Sequence, residues 1–266
     1  STALSHLDQL YADVIDEGYL ENRGARRKTF ARAMNELERD LDKKGGKMLE
    51  IGSYCGFFLD EAVKRGWDVE GIEPSRWASR VAQEKGYKVH CGTLGDGSFK
   101  PVEGGYDIVV MWDVFEHVGD PAGLMEDINA VLKEDGVVCL TTLDVDNWFP
   151  KLLGQSWPWY MSMHIFYYTK ASIDQIFERS GFKMTEARPY CHYASWRYLF
   201  EKLSGLLPFG LGKVAQLLRP LAPKNFFVPV RFGDIKMFVG QKVAVPQKQV
   251  EAKRKAAAKA LLAKQS

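Results

Sequence analysis

Leu49-Glu50-Ile51-Gly52-Ser53-Tyr54-Cys55-Gly56 decides how the rest of the chain is read. Met48 to Ile51 reads as a short strand, and Phe57 to Arg65 as a helix closed by Gly66. The turn between them has the spacing E-x-G-x-x-x-G. Its glycines let backbone approach a ligand closely, beside the N–H groups that open the helix. A dinucleotide-binding turn would space its glycines G-x-G-x-x-G, and that spacing is absent. An anionic Glu50 would also repel a pyrophosphate. It suits a ligand that carries an ammonium and a sulfonium.

Downstream the same alternation continues. Strands are expected at Trp67–Ile72, Tyr87–Cys91, Tyr106–Met111 and Gly136–Leu143. Helices are expected at Ser75–Lys85, closed by Gly86, and at Pro121–Lys133, which opens on a proline. This rhythm indicates βαβ units and a parallel sheet. Upstream, Leu4, Leu7, Leu10, Tyr11 and Val14 recur at helical spacing, and a second helix spans about Ala25 to Leu41. After Leu143 the pattern breaks. Asp144 to Tyr168 reads as an ordered loop crowded with aromatics, with Pro150 and Pro158 arguing against helix. A helix at Ala171–Ser180, a strand at Phe182–Tyr193 and a last strand at Asp234–Val243 complete the pattern. Between them Trp196–Leu221 suggests two short helices, and the Ala/Lys-rich tail from Gln247 is helix-prone.

Four segments in order resemble the motifs of class I S-adenosylmethionine-dependent methyltransferases. They are the turn above, Gly71-Ile72-Glu73-Pro74-Ser75, the run Tyr106 to Val118 containing Trp112-Asp113-Val114-Phe115-Glu116-His117, and Leu132 to Val137. His164 through Gly181-Phe182 resembles a pattern of bacterial small-molecule members. The resemblance covers residues 47–185 well. It implies a Rossmann-like, doubly wound α/β fold. The sheet would have seven mostly parallel strands with an antiparallel last strand, N-terminal helices and a helical insertion before that strand. The corresponding division is an N-terminal cap at 1–45, a cofactor-binding domain at 46–193, an insertion at 194–232, the last strand at 233–245 and a basic tail at 246–266.

The resemblance further implies S-adenosyl-L-methionine as cofactor, held by Glu50, Gly52, Tyr54, Gly56, Glu73, Pro74, Thr93, Leu94, Trp112 and Asp113. Glu73 would bind the ribose hydroxyls. Two departures stand out. Tyr54 replaces a glycine common in the first motif, and a turn variant is expected in which its ring lies over the methionine part of the cofactor. Gly92-Thr93-Leu94 replaces an acid that meets the adenine amino group, so backbone near Thr93 and Leu94 would serve. If the acceptor atom is a hydroxyl, His117 or His164 is the candidate base. His117 could equally be a histidine bonded to neighbouring backbone, and His164 a core histidine. The aromatic stretch 148–168 reads equally as core or as a lid over an apolar or ring-bearing acceptor.

The 266 residues are 46% hydrophobic and 26% charged, enough for one large α/β domain with an insertion or two small domains. Net charge is +2, but 243–266 holds six Lys/Arg against Glu251 alone, leaving a mildly acidic body. That distribution does not suit nucleic-acid binding. Cys55, Cys91, Cys139 and Cys191 form no CxxC pair or Cys/His ligand cluster, so no metal site is expected and the thiols read as reduced and cytoplasmic. No apolar run reaches transmembrane length. The stretch 196–221 reads as a helical cap, a homodimer face or a membrane-surface segment. O-methylation of a small molecule (a sugar, glycolipid precursor, quinone-type ring or other secondary metabolite) is the leading expectation. N- or C-methylation, a non-catalytic binding module and a nicotinamide oxidoreductase are the alternatives.

Overall fold

The computed structural model describes residues 22–196, Leu199 and 226–243. The expectations for the first helix, the insertion after Trp196 and the basic tail lie outside those residues.

Helix α1 (Arg23–Leu41) turns Phe30, Ala33, Met34 and Leu37 inward and stops where Asp42 enters the left-handed region at φ 46°. Then follow β1 (Gly46–Ile51), α2 (Phe57–Val63), β2 (Trp67–Glu73), α3 (Arg76–Glu84), β3 (Lys88–Cys91) and β4 (Tyr106–Met111). After a 3-10 turn at Phe115–His117 come α4 (Pro121–Val131) and β5 (Leu132–Leu143). The rest comprises α5 (Trp148–Leu153), α6 (Lys170–Arg179), β6 (Phe182–Pro189), β7 (His192–Ser195), β8 (Phe227–Val230) and β9 (Ile235–Lys242).

Seven strands form one sheet in the order β3-β2-β1-β4-β5-β9-β6, with β9 antiparallel to both neighbours and β1, β2, β3, β4 and β5 parallel. This is the expected Rossmann-like α/β architecture. Both faces are covered, which explains the continuous apolar strands. Met48, Ile108, Val110 and Cys139 face the core under α1, α2 and α3, while Leu49, Val109, Met111 and Leu140 face α4 and α6. The chain runs from β1 through α2 to β2 on one side and later places β4 on the other. The order therefore reverses between β1 and β4, where open α/β sheets bind ligands beyond their carboxyl ends. Ile51 is in register with both Ile72 and Met111, so the ends of β1, β2 and β4 form one edge.

Two sequence expectations are corrected. The segment 144–168 is not all loop. Asn147 caps α5 by accepting the Phe149 N–H at 2.9 Å, and Pro150 sits in the first turn, where its missing N–H has no intrahelical partner to lose. The strand expected at 182–193 is two. β6 pairs with β9 up to Pro189, and β7 leaves the sheet to pair with β8. That ribbon lies on α1. Tyr193 N–H donates to Thr29 Oγ1 at 2.8 Å and Ser195 Oγ to Asn22 Oδ1 at 3.2 Å. Phe227 comes so close to Gly24 that a Cβ there would meet its ring at 2.6 Å. The Trp196 N–H donates to the Phe226 carbonyl at 3.0 Å, closing the ribbon.

Candidate functional site

The turn after β1 is built on left-handed backbone. Gly52, Tyr54 and Gly56 have φ of 75°, 45° and 73°. The Gly52 and Ser53 N–H groups both donate to the Ile72 carbonyl, at 2.8 and 3.1 Å, which binds the turn to the end of β2. A Cβ on Gly52 would lie 2.4 Å from Val114 Cγ2. Tyr54 thus keeps a glycine-type conformation rather than the turn variant expected, at a strain of about 1–2 kcal/mol. Its ring meets Trp77 edge-on at 5.9 Å. Below the turn, Lys85 Nζ donates to the Cys55 carbonyl at 2.7 Å and to Asp60 at 3.1 Å, and Tyr87 Oη donates to Asp60 at 2.7 Å.

Two carboxylates face this turn. Glu73, at the end of β2, accepts the Tyr54 N–H on one oxygen and the Ser75 N–H on the other, both at 2.8 Å. Burial raises its pKa, and those two N–H donors oppose the rise. Pro74 carries the chain to Ser75, which caps α3. Glu50 is 2% exposed, and its Oε2 has no hydrogen-bond partner among the described residues. Ser53 Oγ is in the same position. Burial, then the charges of Glu73 and Asp60, push the Glu50 carboxyl well above its ordinary range. Lys85 is the cation that opposes this rise, and a ligand ammonium beside Oε2 would add a second.

At β3 the Thr93 N–H donates to Asp96 Oδ2 at 2.9 Å, so that backbone donor is already used. Asp96, which no motif marks, also accepts from Ser98 and lies 3.3 Å from His90 Nε2. Leu94 packs on the α4–α6 side.

Beyond β4, Trp112 is placed by packing. It is 7% exposed, its ring lies 5.0 Å from Phe58 and stacks on Tyr190 at 5.8 Å, and its Nε1 has no partner among the described residues. Asp113 takes φ 55°, exchanges hydrogen bonds with Thr141 Oγ1 through its N–H and Oδ1, and lies 3.9 Å from Arg26.

His117 and His164, 47 positions apart in the chain, meet here with ring centroids 4.8 Å apart. The Glu116 carbonyl brings them together by accepting the Ile165 and Phe166 N–H groups at 2.9 and 3.2 Å. Tyr168 Oη adds a bond to the Phe115 carbonyl at 3.2 Å. Each imidazole Nδ1 lies 2.8 Å from a backbone carbonyl, Met163 for His117 and Trp159 for His164. Carbonyls only accept, so both Nδ1 atoms carry the proton and both Nε2 atoms carry a lone pair. Burial lowers both pKa values; the two carbonyls oppose it. Each histidine is thus bonded to nearby backbone through Nδ1. Between them Glu116 is 2% exposed, accepts from Thr142 Oγ1 at 2.9 Å, and is pushed up to about 8 by burial and then by Asp113. One donor atom from each of Glu116, His117 and His164 lies within 4.8 Å of the others.

A family model for a methyltransferase domain matches residues 22–187. The chain belongs to that family. The ubiquinone biosynthesis O-methyltransferase of Bradyrhizobium sp. (strain ORS 278) is 33% identical over 110 residues, which is 39% of this chain and 42% of that protein. The same-named protein of Actinobacillus pleuropneumoniae serotype 7 (strain AP76) is 28% identical over 109 residues, 38% of this chain and 47% of that protein. The chain thus spans less than half the length of these curated relatives. In fold it is similar to a chain from the complex of the Haloferax volcanii Trm112 methyltransferase activator with a methyltransferase. The TM-score is 0.60 at 16% identity, over 90% of this chain and 98% of the other. It is also similar to the magnesium protoporphyrin IX methyltransferase of Synechocystis PCC 6803 with bound S-adenosylhomocysteine, with a TM-score of 0.53 at 14% identity over 91% and 95% of the two chains. The fold is that of class I S-adenosylmethionine-dependent methyltransferases.

In this methyltransferase domain the structure gathers Glu50, Gly52, Tyr54, Gly56, Glu73 and Pro74 at the ends of β1 and β2. Asp113, His117 and His164 stand beyond β4. Thr93 and Leu94 stand apart on the β3 side. Glu116 lies in the fourth-strand motif, and its burial is a tertiary feature that residue type alone does not reveal. The cysteines are free, Cys55, Cys139 and Cys191 buried and Cys91 exposed. Among the described residues no helix is long and apolar enough to cross a membrane.

Proposed function

We propose that the chain transfers a methyl group from S-adenosyl-L-methionine to a hydroxyl of a small acceptor, of apolar or ring-bearing type. The observation that carries the reading is the buried Glu50 carboxyl, whose Oε2 has no hydrogen-bond partner among the described residues, beside Glu73 on a left-handed turn at the reversal point of the sheet. Those residues fit an amino-acid nucleoside. Glu50 offers charge to an ammonium, and Glu73 retains acceptor capacity for vicinal hydroxyls because each carboxylate oxygen has a second lone pair. When bound, the cofactor supplies an activated methyl group, and the protein's part is chiefly to orient the acceptor and keep water out.

The His117 and His164 Nε2 lone pairs are the groups able to take the hydroxyl proton. Tyr160, Phe166 and Tyr167 surround the His164 segment and favour an apolar acceptor. The naming of the curated relatives as O-methyltransferases supports oxygen as the acceptor atom. In this reading 46–193 with 233–245 forms the cofactor domain.

The test is calorimetry with S-adenosylhomocysteine, followed by turnover of a catechol-type acceptor. Binding is expected, and a double variant His117→Ala/His164→Ala should bind the nucleoside normally while losing turnover. Absence of nucleoside binding by the native chain would defeat the cofactor assignment. An unchanged rate in the double variant would defeat the role of the histidines.

A further inference from the structure

We propose that Glu116, His117 and His164 form a binding site for a first-row divalent transition ion of zinc type, at the acceptor side of the methyltransferase edge. Three features of the geometry point there.

The donors converge, all within 4.8 Å of one another. Bonds of about 2.0–2.1 Å to one ion would set such atoms roughly 3.3 Å apart, so closure needs side-chain movements of about an ångström. The imidazoles are also oriented as ligands are. Each Nδ1–H donates at 2.8 Å to a main-chain carbonyl, which fixes the ring and leaves Nε2 as the lone-pair nitrogen. Metal-ligating histidines almost always show this second hydrogen bond, and the carboxylate ligand is likewise held, here by Thr142 Oγ1 at 2.9 Å. Finally, the two supporting segments are tied to each other. Ile165 and Phe166 donate to the Glu116 carbonyl, so the 164 segment and the β4 end move as one unit.

Donor chemistry selects the ion. Two imidazole nitrogens and one carboxylate suit zinc and its first-row neighbours, whereas magnesium and calcium prefer all-oxygen sets. Three protein ligands leave a position open, as in catalytic zinc sites. An acceptor hydroxyl could occupy it.

The inference deepens the function proposed above and rests on it only for the ion's use. With an ion present, the histidines would activate the hydroxyl through the cation instead of as bases. The hydroxyl would release its proton to solvent on binding. Its oxygen would then form the C–O bond as the S–C bond breaks, and the sulfur would leave as a neutral thioether. Cysteine spacing does not reveal such a site, because this donor set contains no cysteine.

The experiment uses tag-free, EDTA-stripped full chain titrated with Co²⁺, followed by Zn²⁺ and Mg²⁺ in competition. Visible cobalt absorption bands are expected, displaced by Zn²⁺ and not by Mg²⁺ at equal concentration. His164→Ala and Glu116→Gln should each weaken Co²⁺ binding about tenfold or more. Circular dichroism and thermal unfolding identify any variant that fails to fold, and Glu116→Gln keeps the Thr142 contact so that one readable variant remains. Absence of bands in the native chain, displacement by Mg²⁺ as effective as by Zn²⁺, or folded variants that bind within about twofold of native would each overturn the site. Calorimetry with S-adenosylhomocysteine on the stripped protein separates this outcome from failure of the cofactor reading, because that binding does not require the ion.

Discussion

Gly52→Ala tests the bend on which the cofactor edge depends. Gly52 has φ 75°, and an added Cβ would lie 2.4 Å from Val114 Cγ2. Two penalties are therefore separable. An L-residue held in the left-handed region costs about 1–2 kcal/mol. Forcing a methyl into a packed contact costs about 1–3 kcal/mol. Together they amount to roughly 2–5 kcal/mol, a large share of a typical domain's stability of about 5–15 kcal/mol. Urea unfolding followed by fluorescence should show the midpoint fall with little change of slope. The steric part can be removed by Val114→Ala. In the double variant a favourable coupling of about 1–2 kcal/mol should return, while the backbone penalty remains. A cost for Gly52→Ala below about 1 kcal/mol, or no coupling to Val114, would mean that the turn is not held in this left-handed form against the β4 end.

Three further outcomes follow from contacts at and around the site. Glu73→Gln should weaken S-adenosylhomocysteine binding at least about tenfold in calorimetry, because the amide can accept from only one of the Tyr54 and Ser75 N–H groups and turns its NH₂ on the other. Trp157→Phe should cost about 2–3 kcal/mol in urea unfolding, since the buried indole donates to Asp234 Oδ2 at 2.9 Å and the carboxylate would lose a donor. Asp107 should contribute acid-sensitive stability. Burial works to raise its pKa, but hydrogen bonds from Lys133, Lys43 and the Lys47 N–H outweigh it and hold the carboxyl at about 2. A carboxyl depressed on folding stabilises fully above its unfolded pKa of about 3.9 and loses that contribution as pH falls towards 2. With both lysines partly exposed, about 1 kcal/mol is expected. The stability gap between native chain and Asp107→Asn should shrink over that window, and a gap constant from pH 5 to about pH 2 would refute the assignment.

The strands of the main sheet were legible because burial on both faces writes them as unbroken apolar runs punctuated by glycine. Tyr106–Met111 is found where it was expected. The helix α5 was hidden by Pro150, which reads as a breaker unless the cap at Asn147 is known. The division between β6 and β7 was hidden because β7 takes its partners from β8 and α1, far away in sequence. The placement of Glu50 and Glu73 at the ends of β1 and β2 was legible, because each acid closes an apolar run. The meeting of His117 with His164 was not, since two main-chain bonds to the Glu116 carbonyl create it. The use of the Thr93 N–H by Asp96 was likewise a matter of loop conformation rather than residue type.

The β7–β8 ribbon has a consequence for how such a protein can diversify. Trp196 and Phe226 are joined by a main-chain hydrogen bond, and the ribbon is anchored on α1 through Tyr193 and Ser195 of β7 and Phe227 of β8. Replacement cassettes of different length spliced between those two points would find their ends already joined, and each doubling of length adds only about 0.6 kcal/mol of closure entropy. The interval between those two points can therefore change length without breaking the closure of the ribbon.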